Sequence, residues 1–496
     1  MSADVDISRA FATTETYAPV EAFAASSLEL DAGARRLEGA FYGSSGYRAL
    51  RNMKRAGYQM RGVRDLARVS WFGPFGRTYV IDRDAGVPFL SSSEMLEASP
   101  DPQHYLSKVL TPKLNRLIVQ EGTILVSCSG TIGNVMLCTA DHAEMAVSQH
   151  AIRVIPNDRL DRGLLYAFLQ SDVGQFLLTR NKSGSVVESL YEDDVGSLPV
   201  PLLPKSLRRE LTRLLDRSAD LRVRANALLC ASVNDVQRAC YLPDVSGRLM
   251  ARRTEFLAYE TPSSQVFSRL LGPGDVRLDA TAYEPLARAL RGTILEHPQG
   301  RLLGDLVHDI YRVAPGRRTY VEDATHGLPL IGGKQMMQWR AHDVKFLSRA
   351  LTVRNATQTL QHGTTLVAAG GTIGRTMYVH RNFESAVASE DVMRLVPRPD
   401  RVCPGFLYSF MTSPYGQVQL EQRAFGSVIP RLRHFQFHSI AVRLPKDRGE
   451  AIHEQVTDAF DARAEGRKLE DEAIDLFAGA LERGRGYVES EWGTEY

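Results

Sequence analysis

The sequence predicts an α+β chain: two tandem β-rich α+β domains, separated by two long helices packed as an antiparallel coiled coil, the whole pseudo-twofold. Three observations predict it. The first is a duplication. Gly130-Thr131-Ile132-Gly133 returns as Gly371-Thr372-Ile373-Gly374 (371 − 130 = 241). Arg77-Thr78-Tyr79-Val80 returns as Arg318-Thr319-Tyr320-Val321, and Leu203-Pro204 as Leu444-Pro445, at the same offset. A repeat of this length is a copied domain rather than a solenoid unit. The second is texture: short, mostly apolar runs of strand length, such as Thr123-Ile124-Leu125-Val126, Val135-Met136-Leu137 and Ala151-Ile152-Arg153-Val154-Ile155, cut by glycine and proline. The third is a change of texture after Leu203-Pro204. Leu207, Leu211, Leu214, Leu221 and Leu228 fall on alternating 4/3 spacing if Ser218 and Ala225 fill the seam, which is the pattern of a long amphipathic helix.

In chain order, residues 1–35 read as an Ala/Ser/Thr-rich tail or arm, and 36–204 as the first domain. Within it, the Gly130–Gly133 motif between two apolar runs predicts the turn of a β-hairpin rather than a phosphate loop. Leu164, Leu165, Phe168, Leu169, Phe176 and Leu177 predict one helix between Gly163 and Thr179. Residues 205–240 read as the first spacer helix, whose stretch from Leu207 to Val236 would be roughly 45 Å long at about 1.5 Å per residue. A connector rich in Pro and Gly occupies 241–276. The second domain spans 277–445 and the second spacer helix 446–484, opened by a capping box at Asp447 and Glu450. A tail of 485–496 closes the chain. Leu211 maps onto Ile452 and Leu228 onto Leu469 at the repeat offset, so the helices belong to the duplicated unit. Packed on each other, they would hold the domains apart like the ends of a dumbbell; alternatively each folds back on its own domain.

Length and composition set limits. At 496 residues the chain predicts two to four units. Its 44% hydrophobic and 24% charged content is that of an ordinary globular protein, and no apolar run reaches a membrane span. The start lacks the features of a signal peptide, so cytoplasm is the expected compartment and no membrane partner is expected. Five cysteines without a Cys-x-x-Cys pair predict free thiols, with no zinc or disulfide framework. A net charge of +2 neither announces nor excludes a nucleic-acid partner.

Catalytic motifs are missing. Gly327–Lys334 resembles a Walker A loop, but Gly333 breaks the order and Gln335 replaces the magnesium hydroxyl. Ser148-Gln149-His150 has Ser389-Glu390-Asp391 as its repeat partner, so a histidine base is not part of the repeated design. No catalytic, cofactor-binding or metal residues are therefore expected. Hydrogen-bonding and basic residues do gather in expected loops: Lys113, Asn115 and Arg116; Arg180, Asn181 and Lys182; Arg312, Arg317 and Arg318; Arg431, Arg433 and His434. Such side chains reach phosphates and base edges, although each cluster alone also reads as solvated surface.

The ordered set carries a resemblance. Each copy has Arg-Leu-Glu/Asp with a tyrosine soon after (Arg36-Leu37-Glu38 to Tyr42; Arg277-Leu278-Asp279 to Tyr283), then the Gly-Thr-Ile-Gly hairpin, Gly-Ser-Val, a closing Leu-Pro and a long helix. This resembles the specificity (S) subunit of type I restriction–modification systems, with a methylation-associated defence system as a sub-assignment, over residues 36–240 and 277–484. The resemblance implies a non-catalytic subunit that reads double-stranded DNA, one half of a bipartite target per domain, with the helices setting the gap. It implies two docked methyltransferase subunits, room for restriction or translocase subunits, and S-adenosylmethionine held by the methyltransferase rather than by this chain. DNA contacts are expected from Arg77, Lys113, Asn115, Arg116, Asn134, Arg180, Lys182, Ser185, Arg312, Arg317, Arg318, Lys334, Gln335, Arg375, Arg423, Ser427, Arg431, Arg433 and His434. Partner docking is expected from Leu211, Leu214, Leu221, Leu228, Ile452, Val456, Leu469 and Phe477. The loops that differ between copies, Ser91–Leu96 against Gly332–Met337 and Arg180–Lys182 against Gln422–Ala424, are expected to read different bases. A protein scaffold that reads no DNA, or a nuclease with dispersed acids, are the alternatives.

Overall fold

The computed structural model describes residues 44–179, 189–254, 258–262, 277, 279–313, 318–322, 324–352, 359–426 and 428–496. The tail 1–35 and the motif Arg36–Tyr42 lie outside them, as does the 263–276 stretch of the connector. In the first copy, Ile124–Ser127 is apolar on both faces and fully buried, as a central strand must be. It sits in a four-stranded sheet ordered Ala67–Trp71, Ala151–Pro156, Ile124–Ser127, Val135–Leu137. A second four-stranded sheet is ordered Tyr79–Val80, His104–Ser107, Gly86–Leu90, Ala146–Val147. Met60–Gly62 pairs with Pro199–Pro201, which brings the two ends of the domain together.

The second copy repeats this strand for strand. One sheet runs Val307–Tyr311, Val392–Pro397, Thr365–Ala368, Thr376–Tyr378; the other runs Tyr320–Val321, Lys345–Ser348, Gly327–Ile331, Val387–Ala388; Gly300–Leu302 pairs with Ala441–Arg443. The Walker-like Gly327 stretch is thus a strand. A buried arginine ties the two sheets in each copy: Arg153 donates to the Val147 carbonyl (2.9 Å) and Arg394 to the Ala388 carbonyl (2.8 Å), at equivalent positions. Two sheet-rich domains of one design are therefore the fold, as the sequence predicts.

The single helix expected between Gly163 and Thr179 is two, Arg159–Gln170 and Asp172–Thr179. The Ser171 hydroxyl donates to the Phe168 carbonyl (2.6 Å), and a Cβ at Gly174 would stand 1.9 Å from that same oxygen, so the chain turns where the backbone packs too closely for a continuous helix. The tail 485–496 contains a helix, Arg485–Trp492, whose Val488 is buried on the first domain.

The long helices are Lys205–Ala239 and Glu450–Arg483, each about 50 Å at about 1.5 Å per residue. The expected capping box is absent: Gly449, at φ 88°, is the N-cap, and Asp447 accepts from the Gly449 amide (3.0 Å). The helices lie antiparallel. Gln455 donates to Asp235 (2.9 Å), Arg463 to Asn226 (2.8 Å) and Ser218 to Glu470 (3.3 Å), so residue numbers rise on one helix as they fall on the other. The residues expected to dock a partner are spent inside the chain. Leu211, Leu214 and Phe477 share one core with the first domain; Val456 packs with Ala225, Leu229 and Tyr378; Ile452 joins the core of the second domain. Leu221 is buried, and Leu228 and Leu469 are half-buried. A seam that satisfies the partner helix and a domain at once has nothing left to offer outward.

The expected dumbbell is also corrected: the domains touch. Glu97 and Gln338, repeat equivalents (338 − 97 = 241), face each other in an antiparallel bridge. The Ala98 amide donates to the Met337 carbonyl (2.7 Å) and the Trp339 amide to the Leu96 carbonyl (3.0 Å). These two bonds exchange under the repeat, so the contact lies on the pseudo-twofold axis. The loops Ser91–Leu96 and Gly332–Met337, expected to read bases, lead into this contact.

Candidate nucleic-acid interface

The glycine hairpins position each candidate site. Val126 pairs with Val135 and Val367 with Thr376, and the turns between them need left-handed glycines: Gly130 at φ 75° and Gly133 at 89°, Gly371 at 74° and Gly374 at 86°. Beside each hairpin lies the loop that leads into the buried strand Ala151–Pro156 or Val392–Pro397. In the first copy Arg77 donates to the Gln149 side chain, and the Ser129 hydroxyl meets His150. Arg77 also lies over the rings of Phe75 (5.5 Å) and Phe89 (5.2 Å), which hold its guanidinium at the surface. In the second copy Arg318 pairs with Glu390 and donates to the Tyr320 hydroxyl (3.1 Å). Arg77 and Arg318 are repeat equivalents, and so are Gln149 and Glu390 (390 − 149 = 241). One frame therefore carries different hydrogen-bonding groups at the same place in its two copies.

The second copy adds a pinned loop. Phe425 and Arg431 exchange backbone bonds (3.0 and 2.7 Å), and Gly371 donates to Pro430 (3.1 Å), so the loop is tied to the hairpin. At its tip Val428 is 90% exposed and Ile429 is 53% exposed. Arg433 stacks 4.5 Å from the Phe425 ring and 6.0 Å from Phe435; Arg431, Arg433 and His434 are exposed. Elsewhere in the first copy Lys113, Asn115 and Arg116 stand exposed on a turn pinned by buried Leu114 and Leu117, with Lys113 in the left-handed region at φ 54°.

The remaining expected contacts divide. Arg312 is exposed just past the strand Val307–Tyr311. Lys334 pairs with Asp343 (3.2 Å), and Gln335 accepts from the Gly332 amide (3.2 Å) and donates to the His342 carbonyl (3.2 Å), so both belong to the turn that supports the interdomain contact. Three expectations are corrected. Arg423 is 0% exposed, and its guanidinium donates to the carbonyls of Gln419 (2.8 Å), Gln436 (3.1 Å) and Ser439 (3.0 Å), so it braces the loop from inside. Asn134 is buried. Arg375 turns to Glu97 across the domain contact (2.7 Å). Arg180, Lys182, Ser185, Arg317 and Ser427 lie outside the described residues. Gln149, His150, Glu390 and Asp391, which the structure places beside the hairpins, were not among the expected contacts, although Ser148-Gln149-His150 and Ser389-Glu390-Asp391 keep their serine and change both following residues.

Among the described residues no group of three or more His, Cys, Asp or Glu is placed to hold a metal ion, and no helix is long and apolar enough to cross a membrane. No curated protein matches the chain. A solved type I restriction-modification S subunit from M. genitalium is 12% identical, with 86% of this chain and 96% of that one covered at a TM-score of 0.29. The HsdS subunit from Thermoanaerobacter tengcongensis is 16% identical, with 86% and 97% covered at 0.26. Residues 78–212 match the family described as type I restriction modification DNA specificity domain. The similarity to a type I restriction modification DNA specificity domain thus covers most of the first domain and the start of the first long helix.

Proposed function

We propose that the chain is the non-catalytic reading subunit of a type I-like methylation complex, that each domain reads one half of a two-part DNA target, and that the helix pair sets the distance between the halves. The observation that carries this reading is the equivalent pair Arg77–Gln149 and Arg318–Glu390. Gln149 offers a donor and an acceptor side by side, the pattern that matches adenine N6 and N7; Glu390 offers acceptors only, which suit the cytosine amino group. Two such readers on one frame specify unlike half-sites. Phosphate anchoring falls to Lys113, Arg116, Arg312, Arg431 and Arg433, which fix register without reading sequence.

Methyltransferase subunits, which would bring S-adenosylmethionine, then dock on what the helix pair leaves outward. That surface is charged rather than apolar: Arg209, Arg213, Arg217 and Arg224 are exposed on the first long helix, and Glu454, Asp458, Glu465, Glu472 and Asp475 on the second. Mapping methylated adenines genome-wide, in cells with and without this chain, tests the reading. A two-part motif that appears only with the chain, and whose first half alone changes in Gln149→Glu, is the expected result. Methylation that is indifferent to the chain would overturn it.

A further inference from the structure

We infer that the contact between Leu96-Glu97-Ala98 and Met337-Gln338-Trp339 is a second ruler: together with the helix pair it holds the gap between the two half-sites to a single value. The inference rests on the two-part reading proposed above and names residues that determine its spacing.

Each domain is anchored to the helix pair toward one end. Arg208 pairs with Asp161 of the first domain (2.9 Å), and Ser409 of the second domain donates to Ser232 (2.9 Å). Each anchor belongs to a core that the domain shares with the helix pair, through Leu211, Leu214 and Phe477 in the first domain and Ile452 in the second, so the freedom left is a tilt that grows with distance from that core. The midpoint is where that freedom is removed. Arg222, fully buried on the first long helix, donates to the carbonyls of Glu97 (2.7 Å) and Ala98 (2.9 Å), and Asn226 also donates to Ala98 (3.0 Å). From the other side, the Trp339 indole donates to Glu470 of the second long helix (2.9 Å) and packs among Leu90, Met95 and Leu96 of the first domain. Arg375 closes the contact on Glu97.

Step size makes this contact suited to measuring DNA. Sliding the antiparallel segments while keeping each side chain on its face takes two residues, about 6.6 Å, close to the rise of two base pairs at about 3.4 Å each. The smallest slip of the clasp thus corresponds to a change of about two base pairs in the gap. The clasp also resists slipping, because its two sides are unlike. Ala98 stands where the other copy has Trp339, Glu97 where it has Gln338, and Asn134 where it has Arg375. Only one register places the indole on Arg222 and Glu470 and the guanidinium on Glu97.

The test uses the full chain with its methyltransferase in cells, in the variants Trp339→Ala and Arg375→Glu, with the methylated motif as readout. Both are expected to keep the two half-site sequences while admitting gaps up to about two base pairs shorter or longer, so that the preference for the native gap falls by about tenfold. A gap as strict as in the unaltered chain in both variants would overturn the inference. So would loss of methylation at every gap in both variants with an unchanged melting temperature. Arg375→Glu leaves the indole packing in place, so a folding defect in Trp339→Ala does not decide the matter. If the unaltered chain itself directs no two-part motif, the failure belongs to the proposed function and not to the ruler.

Discussion

The guanidinium of Arg222 lies 5.2 Å from the centroid of the Trp339 indole, which joins the first long helix to a loop of the second domain. Arg467 of the second helix approaches the same ring (5.7 Å). The indole is thus held between cations from both long helices and gives its N–H to Glu470, a buried carboxylate that also accepts from Tyr166 (3.0 Å) and Ser218 (3.3 Å). Four separate parts of the chain meet on one side chain.

Trp339→Ala should therefore destabilise the chain by about 3–5 kcal/mol, the range for emptying a large aromatic site. Trp339→Phe keeps much of the ring packing but takes one donor from Glu470, which should cost about 1–3 kcal/mol. Urea unfolding of the three proteins checks the order. Equal stabilities for the Phe variant and the parent would show that the Glu470 bond contributes nothing.

Gly466 offers a test of the helix crossing. It sits inside the second long helix, where alanine ordinarily gains about 1 kcal/mol in propensity. A Cβ there would stand 3.0 Å from the Trp339 ring and 3.3 Å from the Ser218 carbonyl. The ring cannot yield, because it is wedged between Arg222 and Arg467. Gly466→Ala should therefore lower the melting temperature rather than raise it, by overpacking of about 1–3 kcal/mol. A raised melting temperature would mean that the helices separate freely at this point.

Burial pushes the Glu97 carboxyl up to about 7, against the pull of Arg375. The folded chain binds that proton more tightly than the unfolded one. Its contribution to stability is thus full below the ordinary carboxylate range and is lost as pH rises through about 7, at no more than about 1.4 kcal/mol per pH unit. Burial pushes His142 and His342 the other way, and their contribution is lost as pH falls, so the raw pH profile mixes both signs. The comparison to make is with Glu97→Gln. Relative to that variant, the parent should lose melting temperature between pH 5 and pH 8; parallel profiles would mean that Glu97 titrates like an exposed carboxylate.

Much of this architecture was written in the sequence in physical terms. A 241-residue offset in Gly-Thr-Ile-Gly needs only two copies of a hairpin that requires left-handed glycines, and short continuous apolar runs such as Ile124-Leu125-Val126 need only a strand buried on both faces. The clasp was not legible, because Glu97 and Gln338 lie in loops without periodicity, and what joins them is symmetry between distant copies. Residue type also misled. Arg423 and Arg222 look like surface cations, yet carbonyl oxygens gathered around each make an interior site tolerable. Leu211 and Phe477 look like an outward seam, yet an antiparallel neighbour and a domain cover them together. Gln149 and Glu390 became visible as a pair only when the strands placed them beside Arg77 and Arg318.

The pinned loop of the second domain gives the sharpest test of DNA contact. Arg431 and Arg433 follow the exposed tip Val428-Ile429 and are held in place, the one by backbone bonds to Phe425 and the other by stacking on its ring. Preorganised cations lose little freedom on meeting phosphate, whereas a base contact adds discrimination on top of charge. Replacing both with alanine should weaken binding of the assembled complex by about 1–3 kcal/mol if one of them reads a base, and the loss should then be confined to targets carrying the cognate second half-site. If both serve phosphates alone, cognate and random DNA should weaken together, and the dependence of affinity on salt should become shallower by about one unit of slope for each contact removed. Binding titrations at two or more salt concentrations, on cognate and scrambled duplexes, separate these outcomes; unchanged affinity for both duplexes would remove this loop from the interface and leave Arg318 with Glu390 as the reader of the second half.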